Sequence, residues 1–198
     1  MSAIVTLEWP EHASEALGDE VHRVVHAVSA LGGAVGWLSA ATREQSDAWL
    51  QPLLHKVGAG NARLCVARVD GVLQALGTWT RNEYAIFTHR ALVGKIMAHP
   101  DARGLGLGKA VTSALIEDAR AAGIETLTLA VRGNNHLAVA LYEELGFTEW
   151  GRLRNVIEIG DERYDSIEMS LVLQRPQGVI LKGSDGSGPG SSPAPEGR

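Results

Sequence analysis

The sequence predicts an α/β fold of the α+β kind, a central mixed β-sheet of about six to seven strands flanked by helices. Three observations predict it. Strand, helix, strand and helix patterns follow one another between Ala91 and Leu145, which calls for two parallel strands joined by a right-handed crossover. Asp70-Gly71 separates two apolar runs by two residues, a strong hairpin signal. Gly160-Asp161 divides the last two strand-like runs in the same way, so the sheet has antiparallel flanks around a parallel centre.

Residues 3 to 9 read as a short strand. From Ser14 to Leu31, Val21, Val24, Val25 and Val28 recur at helical spacing, and Gly32-Gly33 stops the helix. Thr42-Arg43-Glu44-Gln45 resembles a second helix start, carried on by Trp49, Leu50, Leu53 and Leu54, with Pro52 as a complication. Strands over 64–69 and 72–79 form the first hairpin. A strand over 91–98 follows, and then a helix whose face is Val111, Ala114, Leu115, Ala119 and Ala122, closing at Gly123. Residues 125–131 alternate as a strand, Leu137 to Leu145 is helical before Gly146-Phe147, and strands run over about 150–159 and 163–173.

A chain of 198 residues with 45% hydrophobic composition is long enough for one domain with a sizeable core, expected over residues 1–175. Residues 176–198 shift to Gly, Ser and Pro and are expected to be a disordered tail. The net charge of −5 gives no reason to expect nucleic acid or an anionic membrane as partner. Cys65, the single cysteine, forbids an intramolecular disulfide and reads as a buried structural thiol. Residues 1–8 lack the charge and apolar core of a secretory signal, so a cytoplasmic location is expected. The stretch from Val24 to Ala41 is broken by His26, Ser29 and three glycines, which suits a buried helix better than a membrane span.

The stretch with chemistry in it is Ile96-Met97-Ala98-His99-Pro100-Asp101-Ala102-Arg103-Gly104-Leu105-Gly106-Leu107-Gly108-Lys109. It joins a strand to a helix through a loop nearly stripped of side chains. Backbone N–H groups opening a helix lack partners and sit at the positive end of its dipole, so phosphate is their natural ligand. Glycine allows close approach and positive φ; a merely flexible surface turn is the alternative. The spacing G-x-G-x-G is not the dinucleotide G-x-G-x-x-G. Lys109 is followed by Ala110, and Arg103 stands where a Walker A loop needs its first glycine.

One strand later comes Asn134-Asn135-His136-Leu137-Ala138-Val139-Ala140-Leu141-Tyr142-Glu143-Glu144-Leu145-Gly146-Phe147. With both segments in order, the chain from about residue 62 to 173 resembles the GNAT superfamily of acyl-CoA-dependent N-acyltransferases. Arg103, Gly106 and Gly108 match its Q/R-x-x-G-x-G/A loop. Asn135, Ala138, Leu141, Tyr142, Gly146 and Phe147 match its N-x-x-A-x-x-L-Y-x-x-x-G-F segment. The resemblance implies a GNAT-like sheet with splayed central parallel strands and acetyl-CoA as co-substrate, without a metal. It places the pyrophosphate on Arg103, Gly104, Leu105, Gly106, Leu107, Gly108 and Lys109, and pantetheine along Ile96, Met97 and Ala98. Asn135 then approaches the pantetheine arm and Tyr142 the sulfur.

The implied reaction is direct attack of a primary amine, of a small molecule by preference, on the thioester. Alternatives are a protein or peptide acceptor and a non-catalytic acyl-CoA sensor, and a homodimer is left open. Tyr142 is the candidate general acid; an ordinary helix tyrosine is the bland alternative. Glu83, His89 and Asp165 are candidate bases, although Asp165 on an apolar strand face also suits pairing with Arg152 or Arg154. His136 reads as a helix-start surface residue. Two departures matter: Ala98 replaces a valine, and Leu129-Ala130-Val131 lacks the carboxylate of the L-D-T segment in the tabtoxin-resistance-type subgroup, which residues 88–97 also resemble. The acceptor is expected between residues 10–57 and 150–170, where Trp37, Trp49 and Trp150, with Trp79, are candidate pocket walls.

Overall fold

The computed structural model of the protein describes residues 3–33 and 35–173. Seven strands form one sheet: β1 (Val5–Glu8), β2 (Ala62–Val69), β3 (Val72–Arg81), β4 (Arg90–Ala98), β5 (Thr126–Arg132), β6 (Thr148–Ile159) and β7 (Glu162–Val172), in the spatial order β1-β2-β3-β4-β5-β7-β6. Only β4 and β5 pair in parallel; every other neighbour is antiparallel. The mixed sheet anticipated from the two hairpin signals and the central crossover is therefore present. The Gly/Ser/Pro-rich tail from Pro176 lies outside the described residues.

Four helices flank the sheet: α1 (Glu15–Ala30), α2 (Arg43–Gly58), α3 (Leu107–Ala121) and α4 (His136–Glu144). Ser14 caps α1 by accepting from the Leu17 N–H. Thr42 and Gln45 make a reciprocal capping box at α2. Those caps hold α2 well enough that it runs on through Pro52 to Gly58. Leu17, Val21, Val24 and Val25 of α1, with Leu50, Leu53 and Leu54 of α2, cover one face of β2–β4. Val111, Leu115 and Ala119 of α3, with Tyr142 of α4 and Phe147 just beyond it, cover the other face. Each fully buried Leu or Val contributes about 1.5–3 kcal/mol, so the two clusters fix both helix pairs to the sheet.

One glycine sets the seat of α3. A Cβ on Gly77 of β3 would lie 2.4 Å from Ile96 Cδ1 and 2.8 Å from Val111 Cγ1, so α3 and β4 close over a position without a side chain. Opposite it β4 bulges: the register shifts between Leu76 and Thr78, and Lys95 takes φ +53°. Cys65 is buried, and burial pushes its thiol up to about 12, which agrees with a structural role. No helix among the described residues is long and apolar enough to cross a membrane.

Candidate active site

The parallel pair at the centre of the sheet opens. β4 and β5 are in register only at Arg90↔Thr126, Ala91↔Leu127 and Leu92↔Thr128. Beyond that point both strands continue, to Ala98 and Arg132, with no pairing between them. Successive peptide groups of a strand face opposite ways. The His99 N–H donates to the Gln74 carbonyl oxygen on β3 (2.7 Å), so the main-chain groups of Ala98 and Ile96 face the wedge. A cavity of about 320 Å³ fills it, lined by Ile96, Met97, Ala98, Gly108, Asn135 and Tyr142 among others.

The glycine loop ends beside this wedge. A short 3₁₀ turn over Pro100–Ala102 follows β4, then Gly104 (φ +82°) and Gly106 (φ +69°) bring the chain into α3. A Cβ at either glycine would meet nothing within 4 Å, so handedness and an open front, not crowding, require glycine there. Gly108 differs: it is already helical, with an ordinary 3.6 Å contact to Leu141 for its hypothetical Cβ. Among the described residues no backbone carbonyl takes the N–H of Gly104, Leu105, Gly106, Leu107, Gly108 or Lys109; the first accepted in the helix is Ala110 to Gly106 (3.0 Å). These free donors at a helix start, facing open space, fit a pyrophosphate. Arg103 is exposed beside them, whereas the Leu107 side chain is in the core and Lys109 is ion-paired with Glu144 at 2.5 Å.

Asn135 caps α4, accepting from the Ala138 N–H (3.3 Å), and borders the wedge at that point. His136 begins the helix on the surface side. Tyr142 is buried, its ring edge-on to Phe147 at 5.8 Å, and burial pushes its phenol up to about 12. It is therefore protonated throughout the neutral range.

A second cavity, also about 320 Å³, opens beyond the end of β5, walled by Trp37, Leu38, Ile157 and Ile159. Gly33, Ala130, Val131 and Arg132 line both cavities, so the wedge and the apolar cavity adjoin there. Two cations hold the α1–α2 connection over this junction. Lys95 Nζ donates to the Val35 carbonyl oxygen and lies 4.1 Å from the Trp37 ring centroid, and Arg132 donates to the Gly32 carbonyl oxygen (3.2 Å). Burial draws the Lys95 ammonium below its ordinary range. Trp37 in turn meets Trp49 edge-on at 6.3 Å.

Of the four tryptophans expected near the acceptor, Trp37 alone lines that cavity. Trp79 is buried with its indole N–H donating to Asp118 (2.7 Å), because its strand position faces α3, and Trp150 stands out on the edge strand β6. Two of the candidate bases are also elsewhere. Glu83 is exposed and paired with Lys56 (2.5 Å), and His89 precedes β4 at the end away from the wedge. Asp165 takes the bland option: it accepts from the Asn155 N–H (3.1 Å) and sits 3.5 Å from Arg152.

The model of the acetyltransferase (GNAT) family matches residues 22–147. The chain belongs to this family. Among relatives, the [ribosomal protein bS18]-alanine N-acetyltransferase of Escherichia coli is 42% identical over 81 residues, 41% of this chain and 55% of that protein. The mycothiol acetyltransferase of Renibacterium salmoninarum is 39% identical over 110 residues, 54% of this chain and 32% of that protein. The chain thus spans about half or less of the curated relatives it matches. A protein of Salmonella typhimurium solved with its cofactor acetyl-CoA superposes with a TM-score of 0.74 at 20% identity, over 87% of this chain and 95% of that one. The ribosomal-protein-alanine N-acetyltransferase of Brucella melitensis does so at 0.72 and 22%, over 86% and 99%. Both share the fold described above.

The GNAT motifs pointed to the donor side of the site. They did not point to Lys95, Arg132, Ser166 or the Gly33 corner of the junction. Lys95 left one signal, a lone cation within the apolar run of β4. Arg132 and Ser166 are ordinary polar residues of alternating strands, and only the register Arg132↔Ser166 brings them together.

Proposed function

We propose that the protein transfers an acetyl group from acetyl-CoA to a primary amine, by direct attack while both substrates are bound. The observation that carries this reading is the junction of two cavities at Ala130–Arg132, the wedge between β4 and β5 and the cavity walled by Trp37, which we assign to the thioester and the acceptor. Loop N–H groups from Gly104 to Lys109 bind the pyrophosphate. The open edge of β4 at Ile96 and Ala98 pairs with pantetheine and supplies main-chain donors for the charge developing on the carbonyl oxygen. Tyr142 meets the sulfur as the carbon–sulfur bond breaks. A phenol pushed up to about 12 is a weaker acid than an ordinary thiol, so complete transfer to a free thiolate runs uphill. Tyr142 therefore acts by hydrogen-bonding the sulfur as charge builds there, the proton following.

The apolar walls Trp37, Leu38, Ile157 and Ile159 favour a small amine carrying an apolar group. A peptide N-terminus is the second reading, favoured by the likeness to the bS18-alanine enzyme. Release of free thiol from acetyl-CoA separates them, measured with 2-phenylethylamine, L-alaninamide, kanamycin and an alanine-initiated hexapeptide. Turnover of 2-phenylethylamine above the others is expected. Preference for the hexapeptide moves the acceptor to the second reading, and inertness toward all four with tight acetyl-CoA binding leaves a sensor.

A further inference from the structure

An alkylamine arrives as an ammonium ion and must lose a proton before its nitrogen can attack. The residues lining the two cavities include only one carboxylate, Glu158, and it is ion-paired with Arg163 at 3.0 Å. β5 presents Ala130 at the junction. Directly across in register on β7 is Glu168, on the strand face that also carries Ser166, opposite Arg132. Ser166 is buried, lines the acceptor cavity, and its hydroxyl donates to Glu168 Oε1 at 2.8 Å.

Three features set Glu168 apart from the other carboxylates of this half of the sheet. Glu149, Glu158 and Asp165 each face an arginine and Glu162 lies exposed at the hairpin end with the Tyr164 hydroxyl donating to it, whereas Glu168 is half-buried and, among the described residues, has no Lys, Arg or His nitrogen within ion-pair distance. Its cross-strand neighbours are small on both sides, Ala130 on β5 and Gly151 on β6, where a Cβ would stand 4.0 Å from Glu168 Cβ. The groups around it on that face are Ser166 and Ser170 of β7, Thr148 and Leu153 of β6, and Thr128 and Arg132 of β5, and the Arg132 guanidinium is engaged by Asn134 and Gly32. A half-buried carboxylate with one hydroxyl partner and no counter-ion is available to take a proton.

We propose that Glu168 is the general base for the acceptor amine, acting through the Ser166 hydroxyl; this rests on the acetyltransferase reading above. Ser166 Oγ accepts one proton from the ammonium as it passes its own to Glu168. The neutral nitrogen then forms the bond to the acetyl carbon while the carbon–sulfur bond breaks. The second nitrogen proton balances the thiol formed on the departing sulfur, by way of Tyr142 and water. Proton transfer by a positioned group is typically worth about 10²–10⁴ in rate.

The test uses the full chain and Glu168→Gln, which keeps the size and the hydroxyl contact, with Ser166→Ala beside it. Acceptors are the fastest of the four amines above and hydroxylamine, which is already neutral at pH 7. At pH 7, Glu168→Gln should lower kcat for the amine by about 10²-fold and leave hydroxylamine within about threefold. Raising the pH until the amine is itself neutral should restore most of the loss, which a packing defect would not show. Ser166→Ala should reproduce the pattern more weakly. Full activity of Glu168→Gln with the amine, or equal losses with both acceptors, overturns the assignment and leaves the acetyltransferase reading standing. A wild-type protein inert with every acceptor overturns that reading, and the base with it.

Discussion

Tyr142 illustrates what one residue's surroundings decide. The motif suggested an acid, and burial against Phe147 keeps the phenol protonated at every working pH while making it reluctant to part with its proton. In the reaction proposed above its contribution is a hydrogen bond present in the transition state and weak in the ground state. Tyr142→Phe should lower kcat by about 10²-fold and leave the acetyl-CoA Kd within about twofold, read by thiol release and calorimetry. Glu83 and Asp165 show the limit of reading residues singly. As residue types either suits a base, but each is engaged by a cation: Arg152 beside Asp165 was among the partners the sequence offered, whereas Lys56 beside Glu83 is brought near only by the fold.

At the scale of elements, the loop into α3 was almost fully legible, because its chemistry lies in the backbone and glycine spacing reports backbone directly. The spacing nevertheless treated three glycines alike, and the structure separates them. Gly104 and Gly106 are left-handed, whereas Gly108 is an ordinary helical residue. A side chain in the left-handed region costs roughly 1–2 kcal/mol. Gly106→Ala should therefore weaken acetyl-CoA binding by about tenfold, since a change of 1.4 kcal/mol is a factor of ten. Gly108→Ala should leave the affinity within about twofold. Calorimetric titration of both variants with acetyl-CoA checks the contrast, and equal losses would mean that α3 begins elsewhere when the ligand is bound. The splay of β4 from β5 was legible only through the GNAT resemblance. Each strand alone has the same pattern whether or not its partner stays beside it; what shows the divergence is pairing that stops at Leu92 and Thr128.

At the scale of the whole molecule, the two hairpins and the central parallel crossover followed from local periodicity, while the order of the strands, with β7 inserted between β5 and β6, and the proposed acceptor side did not. That side is assembled from pieces distant in sequence: the α1–α2 connection, the ends of β4 and β5, and the β6–β7 hairpin. Lys95 with Val35, and Arg132 with Gly32, join those pieces through side chain to carbonyl bonds that leave no motif. The helix layer beneath that connection has its own acid sensitivity. His22 of α1 bonds Ser46 of α2 (3.0 Å) and meets the His26 ring at 5.5 Å; burial first, then His26 and Arg43, draw its pKa below the ordinary 6.5. Glu20, held by Arg68, lies below the ordinary glutamate value of 4.5. Both folded values are depressed, so both contributions are complete above the unfolded pKa and are lost as pH falls toward the folded one. For His22 the loss begins near pH 6.5, because the unfolded chain takes up a proton there that the folded chain refuses. For Glu20 it begins only near 4.5, where the unfolded carboxylate protonates first and the tie to Arg68 is then given up. Thermal unfolding followed from pH 8 to pH 4 should therefore show Tm falling in two stages. His22→Gln should remove the stage that begins near pH 6.5 and leave the lower one, since a neutral amide has no proton to exclude. An unchanged upper stage in that variant would assign it to another histidine.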